Sequence, residues 1–214
     1  MLILVRHGES TWNADDRFAG QADVGLTAVG RAEARVAGRR LRQHDLVPEV
    51  AHTSTLSRAV DTLDELLSRC GPHDMVTRRC PELDERHYGA LQGMPRTRAV
   101  QVYGAEQVAR WRRGIQDHPP LDAAGHGESL ADVRLRLQPY VDDVLRPELD
   151  RGRRVVVVSH GNTLRMLRQL VEGLTDEEAA HSEIATGDFR VVDRFSPSGP
   201  GSRARMHPPG ASAR

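Results

Sequence analysis

Two short aliphatic runs, residues 1–5 and residues 155–158, both lead into a histidine followed by glycine: Arg6-His7-Gly8 after the first and Ser159-His160-Gly161 after the second. Runs this short and this rich in Val, Leu and Ile predict strands buried on both faces. Glycine directly beyond a strand lets the backbone turn sharply or lets a ligand come close. Ligands of open α/β sheets sit outside the carboxyl ends of the strands. Two histidines delivered to that edge are candidate partners in one reaction centre. The alternative is two unrelated members of a set of ten histidines. The repeated strand-His-Gly setting, with an arginine beside the first histidine, disfavours it.

Strand-like and helix-like segments alternate along the rest of the chain. Strands are expected at 2–5, 50–53, 75–79, 155–159 and 190–195. A helix over 27–42 is capped by Thr27 and is expected to bury Val29, Ala32, Val36 and Leu41. A second, over 56–68, repeats Leu56, Val60, Leu63 and Leu67 at helical spacing and stops at Gly71-Pro72. Further helices are expected over 97–113, over 129–150 with Pro139 and Pro147 kinking or splitting it, and over 163–172 before Gly173. This alternation predicts an α/β fold, a three-layer sandwich with a mostly parallel central sheet and helices on both faces. Residues 1–195 are the expected domain. Residues 196–214 turn to Ser, Pro, Gly and Arg, the composition of a disordered tail.

Composition excludes several classes of function. The 214 residues carry a formal net charge of zero, which argues against a nucleic-acid or anionic-membrane partner. All 30 cationic residues are arginine, so Schiff-base chemistry and a phosphate loop ending in Lys-Ser/Thr are both ruled out. Cys70 and Cys80 form neither a disulfide framework nor a zinc-ligand pattern. No metal is expected. The opening apolar run is interrupted by Arg6 and His7, and no run approaches a membrane span, so a cytoplasmic location is expected. The stretches around Ser10 and Ser129 both lack the final glycine of a nucleophile elbow.

His7 remains as a nucleophile. A neutral imidazole nitrogen can attack phosphorus and divide one displacement into two easier ones. The transferring phosphoryl oxygens then need guanidinium groups and N–H donors held in place beforehand. Arg6 can serve only if the strand ends there, because neighbours on a strand face opposite ways. Arg58 falls in the first turn of a helix after a strand, where the helix N-terminus would add donors. Candidate proton donors are Glu82, Asp84 and Glu85, with Glu9 as a further competitor.

Several segments together carry a family resemblance. Arg6-His7-Gly8-Glu9-Ser10 with Asn13, Phe18, Gly20, Thr27 and Gly30 resembles the opening of the histidine phosphatase superfamily. Glu85-Arg86-His87-Tyr88-Gly89, Trp111-Arg112-Arg113, Pro119-Pro120, Glu128-Ser129-Leu130 and the segment from His160 to Arg165 narrow the likeness. They resemble its 2,3-bisphosphoglycerate-dependent phosphoglycerate mutase branch. The resemblance implies a phosphoglycerate mutase-like fold and a phosphohistidine at His7, with Arg6, Arg58 and His160 around the phosphoryl group. It implies Glu85 as general acid and base. Ser10, Asn13, Ala19, Gly20, Gly161, Asn162 and Tyr88 would line the substrate site, with Arg86 and His87 in the same segment as Tyr88. Arg96, Arg112 and Arg113 would hold the far carboxylate or second phosphate. The implied reactant is a small phosphorylated carboxylate, the implied primer is 2,3-bisphosphoglycerate, and a homodimer is compatible with it.

The chain also departs from that branch. Ala19 stands where a threonine is usual, Gln21 where a tryptophan is frequent, and Arg96 where a lysine is expected, a change that keeps charge but not geometry. The 120–128 stretch is shorter and the tail differs. Mutase and phosphatase differ in what attacks the phosphohistidine, a substrate hydroxyl or water, so a trimmed rim pushes toward hydrolysis. Arg112, Arg113, Tyr88 and Asn162 push toward a small doubly anionic substrate. The expected function is the mutase, with phosphatase as the alternative. An inactive member of the fold is disfavoured because His7, Arg58, Glu85 and His160 are all present.

Overall fold

The computed structural model describes residues 1–71, 75 and 77–192. The expected tail over 196–214, Pro72, residue 76 of the strand expected over 75–79, and the 193–195 end of the last expected strand lie outside the described residues. Five strands make the sheet: β1 (Leu2–Arg6), β2 (Val50–Thr53), β3 (Thr77–Arg79), β4 (Val155–Ser159) and β5 (Phe189–Val192). Their spatial order is β3-β2-β4-β1-β5, all parallel except β5, which runs antiparallel to β1. The two aliphatic runs are neighbours, with Leu2 opposite Val155 and Arg6 opposite Ser159. His7 and His160 therefore leave the same sheet edge side by side.

The period-two alternation of a strand divides the core into two layers. Leu2, Leu4, Val155 and Val157 face one side, and Ile3, Val5, Val156 and Val158 face the other. The helices are α1 (Thr11–Ala14), α2 (Ala28–Gln43), α3 (Ser57–Cys70), α4 (Arg96–Tyr103), α5 (Ala105–Arg113), α6 (Leu130–Pro139), α7 (Arg146–Asp150), α8 (Gly161–Glu172) and α9 (Asp176–His181). α6, α8 and the turn after α6 cover the first layer, and α2 and α3 cover the second. This is the three-layer sandwich that the alternation predicts. Phe18, Tyr88, Leu91, Ala99 and Val108 form a smaller cluster beside it.

Three expectations need correction. α2 buries Gly30, Ala34, Ala37, Gly38 and Leu41, whereas Val29 is 56% exposed, Val36 is 43% exposed and Ala32 faces solvent. The reason is close helix approach: a Cβ on Gly38 would lie 2.3 Å from the Leu66 carbonyl oxygen of α3, so small residues face inward. In α3 the buried face runs through Ala59, Thr62, Leu63 and Leu66, while Val60 and Leu67 are half-buried and Leu56 precedes the helix. The single helix expected over 97–113 is two, broken at Gly104 with φ of 82°. The 129–150 helix does divide. Pro139 and Pro147 each remove a backbone donor, and a widened π-type turn over Tyr140–Leu145 joins α6 to α7.

Candidate active site

His7 is 4% exposed and packs against His160 with ring centroids 4.9 Å apart. A carbonyl oxygen only accepts, so the 2.7 Å contact between His7 Nδ1 and the Gly8 oxygen puts the ring hydrogen on Nδ1. Nε2 is left with its lone pair. Burial, then the charges of Arg58 and Arg6, hold this imidazole well below its usual range and so keep it neutral. The backbone behind it is fixed from α3. Gly8 N–H donates to Thr62 Oγ1 at 3.0 Å, and Thr62 Oγ1 donates to the Arg58 carbonyl at 2.6 Å. A Cβ on Gly8 would lie 2.2 Å from the Gly30 oxygen of α2, so the turn after β1 has no room for a side chain.

His160 directly follows β4 and occupies the N-cap position of α8. Leu56 N–H donates to Ser54 Oγ at 3.3 Å, which leaves the hydroxyl hydrogen for His160 Nε2 at 2.7 Å. Neutral His160 then carries its own hydrogen on Nδ1. Burial and the Arg58 charge keep it neutral by lowering it well below its usual range. Arg58 is fully buried, its Nη1 donating to the Ala22 oxygen at 2.8 Å and its Nη2 to the Gly20 oxygen at 2.7 Å. Arg6 Nη1 donates to the Ile184 oxygen at 3.0 Å. Among the described residues, Arg6 Nε, Arg58 Nε and His160 Nδ1 are buried donors with no partner. Unpartnered buried donors are costly, and these three gather around one neutral imidazole.

A cleft of about 140 Å³ opens from His7. Glu85 lines it at 8% exposure, its Oε1 accepting from Arg86 N–H at 2.8 Å and its Oε2 facing Asn162 N–H at 3.4 Å, at the start of α8. Asn162 Nδ2 donates to Tyr88 Oη at 3.0 Å, so the phenol hydrogen is free for a ligand. Beyond Glu85 the wall is cationic, with Arg96, Arg112, Arg113, Arg165 and Arg17. Burial and the neighbouring Arg96 lower Arg112, and burial with Arg113 lowers Arg165 to about 10. Guanidinium groups crowded this closely define an anion-binding wall.

Residues 2–200 match the histidine phosphatase superfamily (branch 1). The chain belongs to this superfamily. A Nocardioides relative, a 2,3-bisphosphoglycerate-dependent phosphoglycerate mutase, is 38% identical over 94% of this chain and 91% of its own length. Among solved structures, mycobacterial hydrolase 1 superposes with a TM-score of 0.76 at 27% identity, covering 88% of this chain and 86% of its own. Mycobacterial glucosyl-3-phosphoglycerate phosphatase complexed with VO3 gives 0.75 at 29% identity, covering 88% and 90%. The chain is thus similar to a mutase by sequence and to a phosphatase by structure.

Most of the residues expected at the site do line one cleft: Arg6, His7, Asn13, Ala19, Gly20, Arg58, Glu85, Tyr88, Arg96, Arg112, Arg113, Gly161 and Asn162. Arg6 is the last residue of β1, which meets the condition set for it. Four expected residues do not line the cleft. His160 is fully buried beside His7, against whose ring it packs. Ser10 is fully buried as the cap of α1, its hydroxyl donating to Asn13 Oδ1 at 2.8 Å. Arg86 is fully buried behind Tyr88, its guanidinium 4.4 Å from the ring centroid. His87 turns away toward Asp122. The start of α3 is also spoken for: the amides of Thr55, Leu56 and Ser57 bind Asp84, Ser54 and Asp23, so Arg58 contributes its side chain without free helix-end donors from those positions. Arg17, Arg165, Glu183 and Thr62 escaped sequence reasoning. Only Arg165 had a usable signal, lying one helical turn after Asn162, to whose Oδ1 it donates at 2.7 Å.

His87, Asp122 and His126 bring ligand-type atoms within 4.8 Å of one another. Gly89 N–H donates to His87 Nδ1 at 3.0 Å, so the neutral ring carries its hydrogen on Nε2, 3.7 Å from Asp122 Oδ2. A metal on that nitrogen would displace the hydrogen and break the glycine contact. Asp122 also accepts from the amides of Ala124 and His126 at 2.9 Å, the pattern of a loop clasp.

Proposed function

We infer that the chain is a phosphoglycerate mutase primed by 2,3-bisphosphoglycerate. The observation that carries this reading is a cleft crowded with guanidinium groups. Arg6 and Arg58 act on His7, and Arg96, Arg112, Arg113 and Arg165 line the same cleft. Glu85 lies within electrostatic reach of both Arg58 and Arg165. A small molecule with one phosphate and a second anionic group suits such a cleft. The 38% identity to a relative of that name, across nearly its whole length, supports the same reading.

The chemistry follows from the side chains. His7 Nε2 attacks phosphorus, the bond from phosphorus to the ester oxygen breaks, and the carboxylic acid of Glu85 supplies that oxygen with its proton. Arg6 Nε, Arg58 Nε and His160 Nδ1 are donors left over for phosphoryl oxygens. Asn13 and the Gly20 and Gly161 backbones line the same cleft. Tyr88, Asn162 and the other cleft arginines orient the remainder of the substrate. The return step reverses these roles, with Glu85 as base for a substrate hydroxyl. 2,3-Bisphosphoglycerate supplies the first phosphoryl group. A cytoplasmic location goes with this reading, and among the described residues no helix is long and apolar enough to cross a membrane.

Hydrolysis of a small phosphomonoester is the second reading, favoured by the likeness to a solved phosphatase. One assay separates the two. 3-Phosphoglycerate is supplied with and without 2,3-bisphosphoglycerate, and 2-phosphoglycerate and free phosphate are followed together. Isomer formation stimulated by the bisphosphate is expected. Phosphate release without isomer transfers the assignment to hydrolysis. His7→Ala is expected to abolish acid-labile phosphoenzyme, and Glu85→Gln to slow transfer by about 100-fold or more.

A further inference from the structure

Glu183 follows α9 and lines the same cleft, yet it is an acid in a wall of arginines. Its Oε1 lies 3.4 Å from Arg6 Nη1 and its Oε2 lies 3.5 Å from Arg113 Nη2. These two arginines come from different elements. Arg6 ends β1 beside His7, and Arg113 ends α5. The carboxylate thus spans the gap between them.

Neither arginine depends on Glu183 for its place. Arg6 Nη1 donates to the Ile184 carbonyl at 3.0 Å, and Arg113 Nη1 donates to the Ala180 carbonyl at 2.9 Å. Each guanidinium is tied to the 180–184 backbone by a shorter contact than the one it makes with the carboxylate. The Glu183 side chain is 55% exposed, so it can swing into solvent when a ligand arrives. An acid that does not hold its partners, and sits where an incoming anion must bind, acts as a resident competitor.

We propose that Glu183 is a specificity-determining residue, a built-in counter-anion that weakens the binding of small anions beside His7 until a ligand displaces its carboxylate. The consequence is discrimination by charge. An anion that reaches only Arg6 meets a negative neighbour across the gap. A ligand that also engages Arg113 removes both contacts that keep the carboxylate in place. The inference rests on the cleft being an anion site and is indifferent to whether water or a substrate hydroxyl completes the reaction.

Calorimetric titration with inorganic phosphate, at fixed pH 7.5 and fixed ionic strength, tests it on the full chain. Glu183→Gln keeps the shape and removes the charge, and it is expected to bind phosphate about three- to tenfold more tightly than wild type, the scale of two exposed ion pairs. Glu183→Asp keeps the charge and is expected to stay within about twofold of wild type. Unchanged or weaker binding in Glu183→Gln overturns the proposal and makes Glu183 a support for Arg6 and Arg113. Phosphate that binds wild type but not His7→Ala locates the anion at His7. No binding to either wild type or Glu183→Gln at any accessible concentration overturns the anion-site reading itself and the proposal with it.

Discussion

Thr62 shows how much of the site hangs on single side chains remote from any motif. Its hydroxyl accepts the Gly8 amide and donates to the Arg58 carbonyl, which ties the turn carrying His7 to the helix carrying Arg58. Thr62→Val preserves shape but strands the Gly8 N–H inside the protein. The expected cost is about 1–3 kcal/mol in urea unfolding, with slower phosphorylation of His7. Wild-type stability in that variant would remove the hydroxyl from this role. His7, His160, Arg58 and Glu85 were legible because each belongs to a segment whose local pattern states its setting. Ser10, Arg86 and His87 were misplaced for a related reason. Adjacency along a motif says nothing about direction, and each of the three points away from the cleft. Thr62, Arg17 and Glu183 reach their positions through tertiary packing, and no spacing in the chain announces it.

At the level of elements, strands and most helices followed from periodicity, because β1 and β4 are built on continuous aliphatic runs and the caps at Thr27 and Gly173 are chemically explicit. What periodicity missed was helix faces that pack through glycine and alanine, as α2 does against α3. It also read through Gly104. That residue holds φ of 82° and ψ of 149°, a region nearly reserved for glycine, and it sets the angle at which α5 presents Arg112 and Arg113. Gly104→Ala is expected to cost about 1–3 kcal/mol in stability. It should also re-aim α5, raising KM for the anionic substrate more than it lowers kcat. An equal loss in both constants would argue that α5 bears on the chemistry as well as on binding.

For the whole molecule, buried histidines link folding to pH. His52 is fully buried against Tyr140, its Nδ1 2.7 Å from the phenol oxygen, and burial followed by the Arg78 charge lowers it to about 4. His7 and His160 are lowered as well. The unfolded chain takes up protons below about pH 6.5 that the folded chain refuses, so stability present above that value is lost as pH falls. For His52 the window runs from about 6.5 down to about 4 and is worth roughly 3 kcal/mol at its lower end. Urea unfolding at pH 7 and pH 5 should show the decline, and His52→Gln should flatten it in part. A level profile would mean these rings titrate alike in both states. The sheet order carries a consequence for biosynthesis. β1 lies between β4 and β5, so Leu2 has no lasting neighbour until Val155 and Val192 have left the ribosome. Long-range pairing of this kind is slow to form. An unmated hydrophobic strand is therefore carried by the nascent chain for most of translation.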